Sequence, residues 1–418
     1  MRILSGAAAV ARVQEIAARA SRDAEVEPAV KRIVADVRRH GDRALRKYAE
    51  RWDGLRPGMP LRVSEEAMQA AWRSARPELK SALRAAAANI RCFCEMQKPV
   101  AWTRTRNGIS AGQLVRPLNS VGCYVPGGRY PLISTVLMTV IPAQVAGVEN
   151  VRVVSPQPQA DVLAAAAMLG VGEFYCVGGA QAVAALAYGT ESIPRVEKIV
   201  GPGNLYVTTA KKLVAFDCAI DFLAGPTEVV VVRDTGSPEF IAADLVAQAE
   251  HDPEALAVFI TTRRDLASRV ASSVKELSRG NSIALQSLRR NGAILVSTSR
   301  RQSFDWANEI APEHLTIEDN DAALVQNAGS VFIGDYSAQA AGDYASGPNH
   351  VLPTGRAARF RGGLSVLDFV KLISVQKLSR PGLKRIARVV ELLADAEGLS
   401  AHADSIRRRV PDARCARA

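Results

Sequence analysis

The residues best able to do chemistry crowd into the second half of this chain. Only five histidines occur in 418 residues, and four of them, His251, His314, His350 and His402, follow residue 250. His251 comes three residues after Gln248 in the run Ala-Ala-Asp-Leu-Val-Ala-Gln-Ala-Glu-His-Asp-Pro at 242–253. On a helix that spacing puts the amide and the imidazole on one face, and Asp252-Pro253 ends the helix just beyond them. An amide oxygen beside an imidazole offers two ligands to a divalent metal. Glu313-His314 sets a carboxylate that can activate water next to an imidazole that can take a proton from an alcohol. Asp343 and His350 lie in the polar, Gly/Pro-punctuated segment 341–353, and loops of that kind inside a compact domain usually bind something. His402 follows another acid, Glu397, near the end of the chain. Together Gln248, His251, Asp343 and His402 form a nitrogen and oxygen set that suits zinc without thiolate. With one carboxylate the ion would keep net positive charge and Lewis acidity. Taken singly each has a plainer reading: a solvated helix pair, a surface acid beside a hydrogen-bonded imidazole, turn residues, a solvated helix histidine.

The elements that must position these residues follow a regular alternation. Up to about residue 100 the pattern is helical, with one helix ending at His40-Gly41, where His40 reads as a charge partner of the helix terminus. Asn107-Gly108 is a hairpin turn between short strands. From Val121 strands and helices alternate, which predicts a parallel α/β unit with helices on both faces. A second such unit begins near Glu228, and past Leu367 the pattern is helical and polar. Tyr124-Val-Pro-Gly-Gly-Arg-Tyr-Pro131, Gly178-Gly-Ala-Gln181 and Gly201-Pro-Gly-Asn204 follow strands of the first unit, where such sheets bind ligands. In the first two of these, glycines allow close backbone approach, and the next helix offers its amino-terminal amides to an anion. None matches G-x-G-x-x-G, so the standard dinucleotide fingerprint is absent. Three glycine turns along one sheet still suggest an extended, nucleotide-sized ligand.

Composition narrows the classes. Hydrophobic residues make up 48% and charged residues 23%, ordinary for a globular protein long enough for two or more domains. The net charge of +11 comes from 53 basic residues, 42 of them arginine and spread from end to end. No basic tract is interleaved with aromatics, so nucleic acid is not the expected partner. Cys92, Cys94, Cys123, Cys176, Cys218 and Cys415 form no C-x-x-C pair, which argues against a thiolate zinc site. With no secretory pattern ahead of them, reduced thiols in a cytoplasmic protein are expected. The apolar run Leu132–Val148 is broken by Pro142 and Gln144 and is too short to span a bilayer, so no membrane partner is expected.

From His40-Gly-Asp-Arg-Ala-Leu to His402 the chain resembles the histidinol dehydrogenase family. The most specific stretches are Tyr124-Val-Pro-Gly-Gly, Ser134-Thr-Val-Leu-Met, Val177-Gly-Gly-Ala-Gln-Ala, Lys198-Ile-Val-Gly-Pro-Gly-Asn, Ala224-Gly-Pro-Thr-Glu and Gln248-Ala-Glu-His. Pro312-Glu-His-Leu, Gly342-Asp-Tyr-Ala-Ser-Gly and Asn349-His-Val-Leu-Pro-Thr complete them. The resemblance implies oxidation of L-histidinol to L-histidine with two NAD⁺, through an aldehyde held in the site. It implies one Zn²⁺ per site on Gln248, His251, Asp343 and His402, and acid/base work by Glu313 and His314. Tyr124, Gln181 and Asn204 would contact NAD; Thr227, Glu397 and His314, with the metal ligands, would contact substrate. Thr227 stands where a serine is common and keeps the hydroxyl, whereas Arg129-Tyr130 is bulkier than the small residues many members carry. The family is a homodimer with shared sites, the carboxy-terminal histidine coming from the partner subunit.

The expected fold is α/β, with two Rossmann-like parallel domains, a helical amino-terminal arm and a small carboxy-terminal helical domain. Residues 1–20 would be the arm. Residues 21–120 with 227–365 would carry the metal and acid/base residues, 121–226 a degenerate Rossmann-like NAD domain, and 366–418 the carboxy-terminal domain.

Overall fold

The computed structural model describes residues 1–19, 23–127 and 132–410. Arg129, Tyr130 and Cys415 therefore lie outside the described residues. The chain forms two compact units, one from residues 1–97 and 118–369, the other from 98–117 and from residue 370 onward.

The first unit contains two six-stranded sheets, and both are α/β as the alternation predicts. In one, Ser120–Tyr124 lies between Asn150–Val154 and Lys198–Val200, all parallel, with Glu173–Tyr175 and Ala219–Ile220 outside them. A two-residue strand, Arg62–Val63, closes one edge in the antiparallel sense. The other sheet is parallel throughout, in the order Arg2–Ser5, Ala293–Val296, Leu256–Thr261, Glu228–Val232, His314–Ile317, Ser330–Ile333. Its central strands, Glu-Val-Val-Val-Val and Leu-Ala-Val-Phe-Ile-Thr, are buried at every position. Such unbroken runs form strands because helices cover both faces and no side has to meet water. Separate hydrophobic clusters accordingly fill the two sides of this sheet.

Two placements differ from the reading of the sequence. Arg2–Ser5 is an edge strand of the second sheet, where a helical arm is expected; four residues are too few to display a period. The long helix Asp23–Trp52, expected beside the second sheet, packs its Val30, Val37 and Leu45 into the core of the first, among Tyr124, Val154 and Leu186. Its apolar stripe declares that it packs, but does not name the surface it packs on. The helix breaks at Gly41, with φ 51° and ψ −133°.

In the second unit Trp102–Arg106 and Ile109–Pro117 form the expected hairpin. Asn107 and Gly108 both take positive φ, 53° and 79°, as a two-residue turn between twisted strands requires. Helix is expected past Leu367, but the strand Val370–Leu378 comes first and pairs along the whole of Ile109–Pro117. Most of its residues are exposed, so no burial alternation marks it. The helices Arg380–Ala396 and Ser400–Arg407 follow.

Candidate active site

The strands Glu228–Val232 and His314–Ile317 are neighbours, with Val229 opposite His314. That register brings Thr227, Glu228 and Glu313 together at the amino edges of the two strands. Ala311 adopts a left-handed φ of 51° and closes the helix Arg300–Ile310, turning the chain so that Pro312 and Glu313 lead straight into the strand. The Glu313 carboxylate accepts hydrogen bonds from the Thr227 hydroxyl and, at 3.0 Å, from the Glu228 amide. Burial pushes its pKa up, against the opposing pull of His314, Thr227 and the Glu228 amide.

His314 is 3% exposed, and its Nδ1 lies 3.2 Å from the Glu228 carbonyl oxygen. A carbonyl only accepts, so Nδ1 carries the hydrogen and Nε2 holds the lone pair of the neutral ring. Nε2 has no hydrogen-bond partner, although the Asp343 carboxylate stands 3.4 Å away. Burial works against charge on this imidazole, but Glu313 and Asp343 outweigh it and push the pKa up to about 9. Asp343 responds in the opposite sense: burial raises its pKa, and His314, His350 and His251 more than reverse the effect. His350 donates from Nδ1 to the Asp343 carbonyl at 2.7 Å, and burial lowers its pKa.

Gln248 arrives from the helix Pro238–Ala249, capped by the Ser237 hydroxyl at the Glu239 amide and opened by Pro238. Its side chain is 1% exposed as a residue and donates to the Thr227 hydroxyl. Thr227, Gln248, Glu313, His314 and Asp343 therefore converge. His251, in the turn beyond the helix, is exposed, yet close enough to bear on Asp343 electrostatically. Glu397 and His402 are exposed residues of the second unit.

Among the described residues no three His, Cys, Asp or Glu side chains cluster as a metal site. Of the expected ligand set, Gln248, His251 and Asp343 belong to this unit, one amide, one imidazole and one carboxylate, and only His251 and Asp343 are of those four types. Their chemistry suits a borderline divalent cation with a place left for another ligand.

Glu313 and His314 sit at the amino edge of their sheet, whereas open parallel sheets ordinarily bind ligands at the carboxyl edge. The carboxyl edge here is filled by Arg300, paired with Asp234 at 3.4 Å, with Glu318 at 3.1 Å and with Asp321.

Tyr124, Gln181 and Asn204 lie on the carboxyl edge of the first sheet. The Tyr124 hydroxyl accepts from the Gly179 amide at 3.0 Å. Asp53 accepts from the Gly178 amide and from the Gln181 side chain, each at 3.0 Å. At the start of the helix Gly179–Tyr188, the amides of Gly178 and Gly179 are thus taken by a carboxylate and a hydroxyl, and that carboxylate would repel a phosphate placed beside them. Asn204 caps the helix Leu205–Val214 through its Oδ1, accepting from Tyr206 and Val207 amides. Gly201 has φ 111°, and a Cβ there would run into the Tyr124 carbonyl, so this glycine serves the packing of one turn on another. Lys211 and Asp221, a buried ion pair, grip the carbonyl and the amide of Gly201 at 3.0 and 2.7 Å.

Asp53, Lys211, Asp221, Glu228 and Gln339 are site-supporting residues that the reading of the sequence did not single out. Glu228 had a signal, as the last residue of Ala224-Gly-Pro-Thr-Glu; the others stand in no motif.

The family model for histidinol dehydrogenase matches residues 16–410. A relative named histidinol dehydrogenase from Methanothermobacter thermautotrophicus is 48% identical over 417 residues, covering 96% of this chain and 97% of the relative. One of the same name from Syntrophotalea carbinolica is 47% identical over 402 residues, covering 93% of each. The crystal structure of histidinol dehydrogenase from Elizabethkingia anophelis superposes with a TM-score of 0.93 at 35% identity, over 98% of both chains.

Proposed function

The chain belongs to the histidinol dehydrogenase family, and on that premise we propose that it oxidises L-histidinol to L-histidine, the final step of histidine biosynthesis, with NAD and one zinc per site. The balanced reaction takes one alcohol, two NAD⁺ and one water to one carboxylate, two NADH and three protons. The observation that carries this reading is the buried His314, with Nδ1–H committed to a backbone carbonyl and Nε2 without a hydrogen-bond partner, 3.4 Å from the Asp343 carboxylate.

Gln248, His251, Asp343 and His402 would hold the metal. Bound zinc would hold the substrate's imidazole and amine and so fix its carbinol near the nicotinamide, while NAD would accept both hydrides; orientation of this kind is worth roughly 7–11 kcal/mol. A cation held by Asp343 would offset one of the two negative charges that face His314. His314 Nε2 takes the hydroxyl proton of the alcohol. Glu313, aligned by Thr227 and the Glu228 amide, takes a proton from the water that adds to the aldehyde. His314 then removes a hydroxyl proton from the hydrate. Thr227 and Glu397 contact the substrate, and Tyr124, Gln181 and Asn204 contact NAD. The family's homodimer, with the partner subunit's His402 as fourth ligand, is part of this proposal, as is a cytoplasmic location. Among the described residues no helix is long and apolar enough to cross a membrane.

The test is the yield of NADH per mole of L-histidinol consumed. Two supports the reading. One indicates dehydrogenation of an alcohol without the aldehyde step, and none overturns it.

A further inference from the structure

Gln339 opens the short helix Gln339–Tyr344, which also carries Asp343 one turn later. That helix packs against Pro238–Ala249, which carries Asp244 and Gln248 at the same spacing. Gln339 is 2% exposed and bridges the two. Its Nε2 lies 2.7 Å from the Asp244 carbonyl oxygen and 3.0 Å from Gln248 Oε1.

This contact settles the orientation of both amides. The Asp244 carbonyl can only accept, so the Gln339 atom facing it must be the nitrogen. The second hydrogen of that nitrogen then points to Gln248, whose facing atom must be the oxygen. The Gln248 nitrogen is left to face the Thr227 hydroxyl, to which it donates, and that hydroxyl in turn donates to Glu313. Gln248 Oε1 keeps a second lone pair for a cation. The single link also sets the spacing between the two helices that bear Gln248 and Asp343.

We propose that Gln339 is a positioning residue for the metal: it holds Gln248 oxygen-first and fixes the separation of Gln248 from Asp343. This rests on the zinc reading above. Partners that orient metal ligands typically contribute about 10–100-fold in metal affinity.

The experiment measures zinc affinity by chelator competition for the full-length protein, for Gln339→Met and for Gln339→Leu. Both substitutions are apolar and keep much of the side-chain volume, and either one suffices if the other fails to fold. Circular dichroism and NAD affinity serve as controls. The expected result is one zinc per subunit in the unsubstituted protein and roughly 10–100-fold weaker binding in the variants, with NAD affinity unchanged and turnover recovered by excess zinc. Equal zinc affinity in a folded variant overturns the role of Gln339 alone. Absence of zinc binding in the unsubstituted protein overturns the metal reading and this inference with it.

Discussion

Replacing His314 by asparagine tests the core of the proposed chemistry. The imidazole is buried, its Nδ1–H is spent on the Glu228 carbonyl, and its only free polar atom is Nε2. An asparagine amide can donate to the same carbonyl, so the backbone group is not orphaned, but it has no basic nitrogen to stand where Nε2 stood. The ring also stacks obliquely on Phe332, at 5.8 Å between centroids; losing that contact affects packing more than proton transfer. The loss expected in kcat is therefore that of a general base, about 10²–10⁴-fold, or roughly 3–5 kcal/mol of transition-state stabilisation. The assay is steady-state NADH formation at saturating L-histidinol and NAD, with zinc content determined by elemental analysis on the same samples. Turnover within tenfold of the unsubstituted enzyme, at equal zinc, would refute the assignment of His314 as the base.

Glu313→Gln should slow conversion of L-histidinaldehyde more than that of L-histidinol at unchanged zinc content; assaying the two substrates separately decides it, and equal effects on both would count against Glu313 as the water activator. His251→Ala and His402→Ala should each lower zinc occupancy, so full occupancy by elemental analysis in either removes that residue from the ligand set. Lys211→Met leaves Asp221 buried without its cation. Breaking such a pair costs about 3–5 kcal/mol, to be read from denaturant unfolding together with a higher KM for NAD, because the Gly201 turn loses its clamp. Burial raises the Glu228 carboxyl, assisted by Glu313 and opposed by Arg19, to about 7 from its ordinary 4.5. The folded state thus holds that proton more tightly than the unfolded chain. Its contribution is complete below about pH 4.5 and is lost as pH rises through about 7. Unfolding free energy measured between pH 4 and 8 should fall by roughly 3 kcal/mol more in the native protein than in Glu228→Gln; parallel curves would show that the carboxyl is not the source.

The local order of the chain was legible in its residues, because period, turn chemistry and capping act within a few positions. The unbroken valine run at 229–232 could only be a strand covered on both faces, and Asn107-Gly108 could only be a tight hairpin turn. Asp252-Pro253 had to follow the end of a helix, which left Gln248 and His251 near its terminus. The pairing of Glu313 with His314 was equally plain, since adjacency in sequence needs no fold to create it. What the residues could not announce was which distant surface each of these would meet. The helix Asp23–Trp52 carries an apolar stripe that either sheet could have covered, and the packing of Tyr124, Val154 and Leu186 decided the matter. Asp53 and Gln339 stand in no motif, and their roles exist only because folding brings them to Gln181 and to Gln248. The same holds for the tautomer of His314. A carbonyl 86 residues away selects which ring nitrogen is free, and hydrogen-bond direction is a property of where atoms finish, not of the order in which residues are joined.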